Sequence, residues 1–559
     1  MGKRTTRRQF LGAGGALAAG LASGALRPRG AAASPAAAAP VPGAAASSDR
    51  RRRAADRVKQ AQGIRVEAAR KQGERRLPPL ETNGDESRYP DRIASFSKTL
   101  PHDALGQVDV KAFDALAAAL DSGIVAKLEA VPRGGDLRMA NPWAGLAYGL
   151  EGAESCQIPL APPPAFASAE QAGEACELYW QAVTRDVPFA EYEGNALVQQ
   201  ACEDLSRLSA FAGPKRDGRV TAGTVFRGPT PGDLAGPYVS QFLWKELPYG
   251  AIRVVQQVRT ATPGLEHMTT FEDWLAVQNG ASTPARHASA YRYIHSARDM
   301  TSYVHLDFTY QAFLSACLIL FGMQGTTDAR RPYKGAPYDA GNPYRASKNQ
   351  SGFVTLGVGH ALDLVARVAN DALRACWYQK WMVHRRLRPE ELGGRVHNHR
   401  TGAARYALHA ELLDSPVLEL VHKAHGSYLL PQAYPEGSPT HPSYPAGHAA
   451  IAGACATVLK AFFEESFPID DPVSITSDGL KLVPYTGREL TVGGELNKLA
   501  ANISLGRDAA GIHWRSDGIE GLKLGEAVAL SVLGEIRACV HEDFGGFNLT
   551  TFDGTTVKV

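Results

Sequence analysis

Residues 447–465 read GHAAIAGACATVLKAFFEE, an Ala-, Leu- and Val-rich run long enough for about five turns of helix and preceded by Pro445. Proline suits a chain entering a helix, where a missing amide donor costs little, and it places His448 in the first turn. Three further stretches of the same character lie nearby, at residues 361–384, 490–505 and 516–536. Four long apolar segments of helical period, joined by turn-rich connections such as 430–445, predict an all-α protein whose core is a four-helix bundle. A site in such a fold sits between facing helices at one end.

Working outward, periodicity changes character near Ser351, so residues 351–559 are assigned as a helical-bundle region and 47–350 as a mainly helical half packed into the same fold. In that half, helical segments such as 110–129 alternate with Pro- and Gly-rich connections at 158–166 and 226–238. Thr/Val alternation at 548–559 suggests a short terminal hairpin.

A chain of 559 residues with 44% hydrophobic and 21% charged residues is globular rather than disordered. Its formal charge of +3 is too small to gather nucleic acid. The local exception, Arg50–Arg53 through Arg75 and Arg76, is broken by Asp56 and Glu67 and reads as a solvated helical arm.

The N-terminus carries Thr5-Thr6-Arg7-Arg8-Gln9-Phe10-Leu11, a small apolar run, then an Ala/Pro/Ser tract. That pattern is a twin-arginine export signal, assigned with its tract to residues 1–46, and implies a periplasmic or extracellular destination with no stable membrane anchor. Seven cysteines (156, 176, 202, 317, 376, 455 and 539) include no CxxC pair, which removes zinc and iron–sulfur readings. Cys317, Cys376 and Cys455 read as buried hydrophobes. A Cys156–Cys176 loop closure is open after export.

Three segments concentrate cations and histidines: Trp377-Tyr-Gln-Lys380 to Arg388-Pro389, His441-Pro-Ser-Tyr-Pro-Ala446-Gly447-His448, and Gly506-Arg507 to His513-Trp514-Arg515-Ser516-Asp517. One lysine and two arginines supply many donors and three charges, an inventory for a tetrahedral oxyanion. The Gly447 amide at a helix N-terminus adds a donor where the helix dipole favours negative charge. One histidine then serves as nucleophile or metal ligand and another as acid/base. His513 and Asp517, four apart, are expected on one helix face, the carboxylate fixing the imidazole tautomer. Arg385 and Arg386 read as a solvated helix face.

These segments resemble the vanadium haloperoxidases and the acid phosphatases that share their oxyanion pocket. The phrases QKWMVHRRLRPE (379–390) and PEGSPTHPSYP (435–445) are similar to the algal bromoperoxidases and their bacterial kin. The resemblance is strong over residues 351–536 and looser before them. It implies that His513 binds vanadium, with Asp517 behind it. Lys380, Arg388 and Arg507 would surround the vanadate oxygens with the Gly447 amide, His448 would be the acid/base, and His441 and Trp377 would lie on the halide side.

It further implies a vanadate cofactor without haem, hydrogen peroxide and halide as substrates, and a small organic acceptor. Bromide and iodide are expected ahead of chloride, with His441 making activity vary over roughly pH 5 to 8. A homodimer or higher homo-oligomer is expected too. One position departs from the family: Ala446 stands where a serine is usual. Phosphatase chemistry through His513 is disfavoured because seven residues, not six, separate Lys380 from Arg388. A non-redox homologue keeping the oxyanion pocket is the other alternative.

Overall fold

The computed structural model describes residues 44–284, 290–322 and 335–559. The twin-arginine stretch and most of the following tract lie outside the described residues.

Four helices form the centre, as their sequences predict: Val358–Tyr378, Gly447–Phe462, Val492–Ala509 and Arg515–Cys539. Gly447–Phe462 lies in the middle and is buried along almost its whole length. Its small residues explain this. A Cβ on Gly453 would sit 2.1 Å from the Leu522 carbonyl oxygen, and one on Gly525 would sit 2.0 Å from that of Ala450. The two backbones therefore meet where side chains would otherwise hold helices roughly 8–10 Å apart. Around them one apolar core runs from Val239, Phe242 and Val304 to Leu364, Val458 and Leu499, so both halves of the chain share it.

Residues Gly63–Val559 form one compact unit. A second apolar core is built on the Ala169–Thr184 helix and reaches Trp514, next to the third motif. The 110–129 segment is two helices rather than one, Val110–Ser122 and Val125–Glu129, because Gly123 turns left-handed at φ 63°. The basic stretch lies on the helix Ala44–Glu74, whose described side chains are mostly exposed, as a solvated helical arm requires. The terminal hairpin pairs Asn548–Thr550 with Thr556–Lys558 in antiparallel register. No single helix among the described residues is long and apolar enough to cross a membrane. All seven cysteines are free, Cys156 and Cys176 included, and Cys317, Cys376 and Cys455 are buried.

Candidate active site

The Val358–Tyr378 helix ends in a π-helical turn, Gln379–His384, that carries Lys380 inward. Lys380 is fully buried, and its Nζ donates to the carbonyls of Pro442 and Ser443 at 2.8 and 2.7 Å. Burial, with Arg388 and Arg507 nearby, brings its pKa down to about 7.

Arg388 sits in extended backbone just before the helix Pro389–Thr401, its amide held by Glu391. Its guanidinium is also fully buried. Nε donates to the His441 carbonyl (3.0 Å), Nη1 to Ile512 O (2.6 Å) and His513 Nε2 (2.9 Å), and Nη2 to His441 Nδ1 (3.0 Å). Burial lowers its pKa to about 10.

An arginine N–H can only donate, so His513 Nε2 is the acceptor and Nδ1 carries the proton. That proton goes to Asp517 Oδ2 at 2.8 Å. The contact is the expected one, but its cause is not a shared helix face. His513 precedes the helix Arg515–Cys539, and Asp517 occupies its third position, where Oδ2 also takes the Trp514 amide as a cap. Ser443 Oγ donates to the same oxygen. Burial, Arg388, Lys380 and Arg507 hold the His513 pKa well below the ordinary imidazole range, so the ring is neutral and competent as a ligand.

Arg507 lies in the last turn of Val492–Ala509. Its Nη1 donates to Val304 O (2.6 Å), its guanidinium lies 5.6 Å from the Tyr434 ring, and its buried Nε has no partner among the described residues. Its charge lowers the pKa of Lys380, Arg388, His448 and His513, which places all five groups in one electrostatic cluster.

Gly447 opens its helix behind Ala446, which offers no side-chain cap, so the first-turn amides remain available to an anion. Pro445 stands one residue before that cap. His448 is partly exposed at 27%, and Asp307 Oδ1 lies 3.1 Å from its Nε2. Crowded surroundings and Arg507 lower its pKa, and Asp307 opposes them. Trp377 tilts over His441 at 4.7 Å and donates Nε1 to Ala140 O.

Every predicted site residue therefore falls in this one region. Two further expectations need correction. His441 is buried among Lys380, Arg388 and His513, which with burial hold it well below the imidazole range. Its titration is displaced downward from the ordinary imidazole range in which it was expected. Arg385 and Arg386 are not a solvated helix face either, because the π turn ends before them and Arg385 adopts φ 38°. Arg385 pairs with Glu86 at 2.7 Å, and Arg386, 3% exposed, pairs with Glu174 and Asp517 at 2.8 Å each.

Asp307 and Ser443 were missed. Ser443 lay within a quoted motif, two residues after His441. Asp307 lay in no motif, and only tertiary folding brings it to His448.

What the donor set can do is bind an oxyanion beside a neutral imidazole. Three buried cations make hydrogen bonds to carbonyls and ring nitrogens rather than to carboxylates, and one keeps a buried N–H unspent. That arrangement fits vanadate.

Comparison with known proteins agrees. Residues 361–542 match the family described as VCPO second helical-bundle domain. The chain is 35% identical to the vanadium-dependent bromoperoxidase of Corallina officinalis, covering 90% of this chain and 98% of that protein. It is equally identical to that of Ascophyllum nodosum, over 90% and 92%. The structure superposes on the homohexameric second vanadate-dependent bromoperoxidase of Ascophyllum nodosum with a TM-score of 0.84 at 30% identity, covering 89% of this chain and 90% of that one. Taken with the site geometry, this similarity over nine-tenths of its length means that the chain belongs to the vanadium-dependent haloperoxidase family.

Proposed function

We propose that the protein is a vanadium-dependent halide peroxidase that uses hydrogen peroxide to oxidise bromide and iodide, and chloride less well, to a hypohalous acid equivalent. The carrying observation is the set Lys380, Arg388 and Arg507, buried beside the neutral His513 with their side-chain hydrogen bonds going to carbonyls and ring nitrogens rather than to carboxylates. Vanadate, when bound, supplies a Lewis-acidic centre that activates peroxide toward a halide without haem.

The chain's own residues supply the rest. Lys380, Arg388, Arg507 and the Gly447 amide hold the anion's oxygens. His513 offers its Nε2 lone pair while Asp517 keeps the proton on Nδ1. Asp307 holds His448 at Nε2, which leaves Nδ1 as the atom that exchanges a proton with the bound reactants. Trp377 and neutral His441 form a wall of low polarity suited to a large, weakly hydrated halide. A small organic acceptor then receives the halogen.

The test is dye bromination with peroxide, with and without added vanadate. Vanadate-dependent bromination is expected. Phosphate-ester hydrolysis without bromination would contradict the reading.

A homo-oligomer is supported by the relative described as homohexameric, and light scattering of the purified chain tests it. Twin-arginine export to the periplasm or beyond is supported by residues 5–11. Replacing Arg7 and Arg8 with lysine should keep the protein in the cytoplasm.

A further inference from the structure

Arg386 belongs to no part of the oxyanion shell, yet it is anchored as firmly as the residues that do. Its Nη1 donates to Asp517 Oδ1 and Ser516 Oγ, both at 2.8 Å, while Nη2 donates to Gln171 Oε1 (2.7 Å) and Glu174 Oε2 (2.8 Å). The guanidinium also lies over the Tyr444 and Trp514 rings, 5.9 and 5.1 Å from their centres. Glu174 is fixed in turn by the Ser516 amide. A rigid fork thus spans the chain's two halves, from the helix Ala169–Thr184 to the start of Arg515–Cys539.

Resting on the haloperoxidase reading, we propose that Arg386 is a positioning residue for His513: by tying Asp517 Oδ1 it fixes the carboxylate plane so that Oδ2 faces His513 Nδ1. Oδ2 already takes His513 Nδ1, the Trp514 amide and Ser443 Oγ, and Arg386 adds the one charged donor, at Oδ1. A turn about Cβ–Cγ would therefore break bonds at both oxygens, the charge-assisted one included. The imidazole then has one tautomer and one orientation, with the Nε2 lone pair on the oxyanion side. Arginine suits the task because its planar fork presents a separate nitrogen to each carboxylate in a fixed geometry, which the single ammonium nitrogen of a lysine does not.

This predicts an effect on one kind of anion only. Sulfate needs charge and donors, which Lys380, Arg388 and Arg507 supply without Arg386. Vanadate needs those and a bond to His513.

The experiment measures vanadate and sulfate affinities of the full chain by calorimetry. Arg386→Gln should weaken vanadate about tenfold to a hundredfold, the usual effect of losing a ligand's support, and sulfate by no more than about twofold. Arg386→Lys keeps the charge but not the fork and should fall between. Equal loss of both anions would mean a merely structural role and overturn the proposal, as would unchanged vanadate affinity in either folded variant. Should Arg386→Gln fail to fold, Arg386→Lys carries the same comparison. An unsubstituted chain that binds vanadate no better than sulfate would instead overturn the haloperoxidase reading, and with it the role given to Arg386.

Discussion

Two groups of buried cations lie close together here and are treated in opposite ways. Arg386 and Arg515, behind the site, are each paired with a carboxylate: Arg386 with Glu174 and Asp517, Arg515 with Glu177. Lys380, Arg388 and Arg507 are equally buried, but their hydrogen bonds go to carbonyls and ring nitrogens. Burying a charge without an opposite charge is costly. The difference teaches that the first group holds the fold and the second holds something that the fold does not itself contain.

Removing one member of each group should have opposite effects on stability. Arg515→Met leaves Glu177 buried and alone, and should destabilise the protein by about 3–5 kcal/mol. Arg507→Met removes a charge that has no carboxylate, so the anion-free protein should keep or gain stability while vanadate affinity collapses. Thermal melts with and without vanadate check both, and equal destabilisation by the two variants would erase the distinction. Next in size is Asp517→Ala. It should lower stability, because Arg386, Ser443 and the Trp514 amide lose an acceptor, and in the folded protein weaken vanadate roughly 10- to 100-fold, because the Nδ1 proton of His513 loses its own.

Lys380 gives a pH test. Its pKa is lowered to about 7 in the anion-free protein, so above that pH the amine is neutral and must take up a proton when the anion binds. Vanadate affinity should therefore fall as pH rises past 7, by up to about tenfold per unit, once the anion's own titration is accounted for. The sign for folding is opposite. The unfolded chain keeps that proton to 10.5, so the anion-free protein gains stability between about 7 and 10.5 from this group. Calorimetry in buffers of different ionisation enthalpy detects the uptake, and none near pH 8 would contradict the account.

The smallest effect is at Ala446. A serine there would both cap the uncapped helix and offer a hydroxyl to the anion, contributing roughly 0.5–2 kcal/mol. Ala446→Ser should raise the melting temperature, vanadate affinity or both. If neither changes, another group already satisfies the first-turn amides.

The four helices and the cationic motifs were legible because each depends on local pattern: apolar period, small residues at 447–456, and Arg and His at fixed spacings. The family resemblance at the same residues gave roles to Lys380, Arg388, Arg507, His448 and His513. What was not legible depends on chain reversal. Arg386 looked solvated because the helical period was carried through residues where a π turn ends the helix. Its partners Glu174 and Asp517 lie more than a hundred residues away on either side. Asp307 reaches His448 over a similar separation. The neutrality of His441 also needed three-dimensional information, since it comes from burial beside two cations.

The cations that bond no carboxylate and the neutral His513 together make up the vanadate site proposed for this chain. Vanadium content after exhaustive dialysis, measured on the parent chain and on folded His513→Ala, tests it most directly. Near-stoichiometric vanadium is expected in the parent and none retained in the variant. Full occupancy in His513→Ala, or none in the parent, would contradict it.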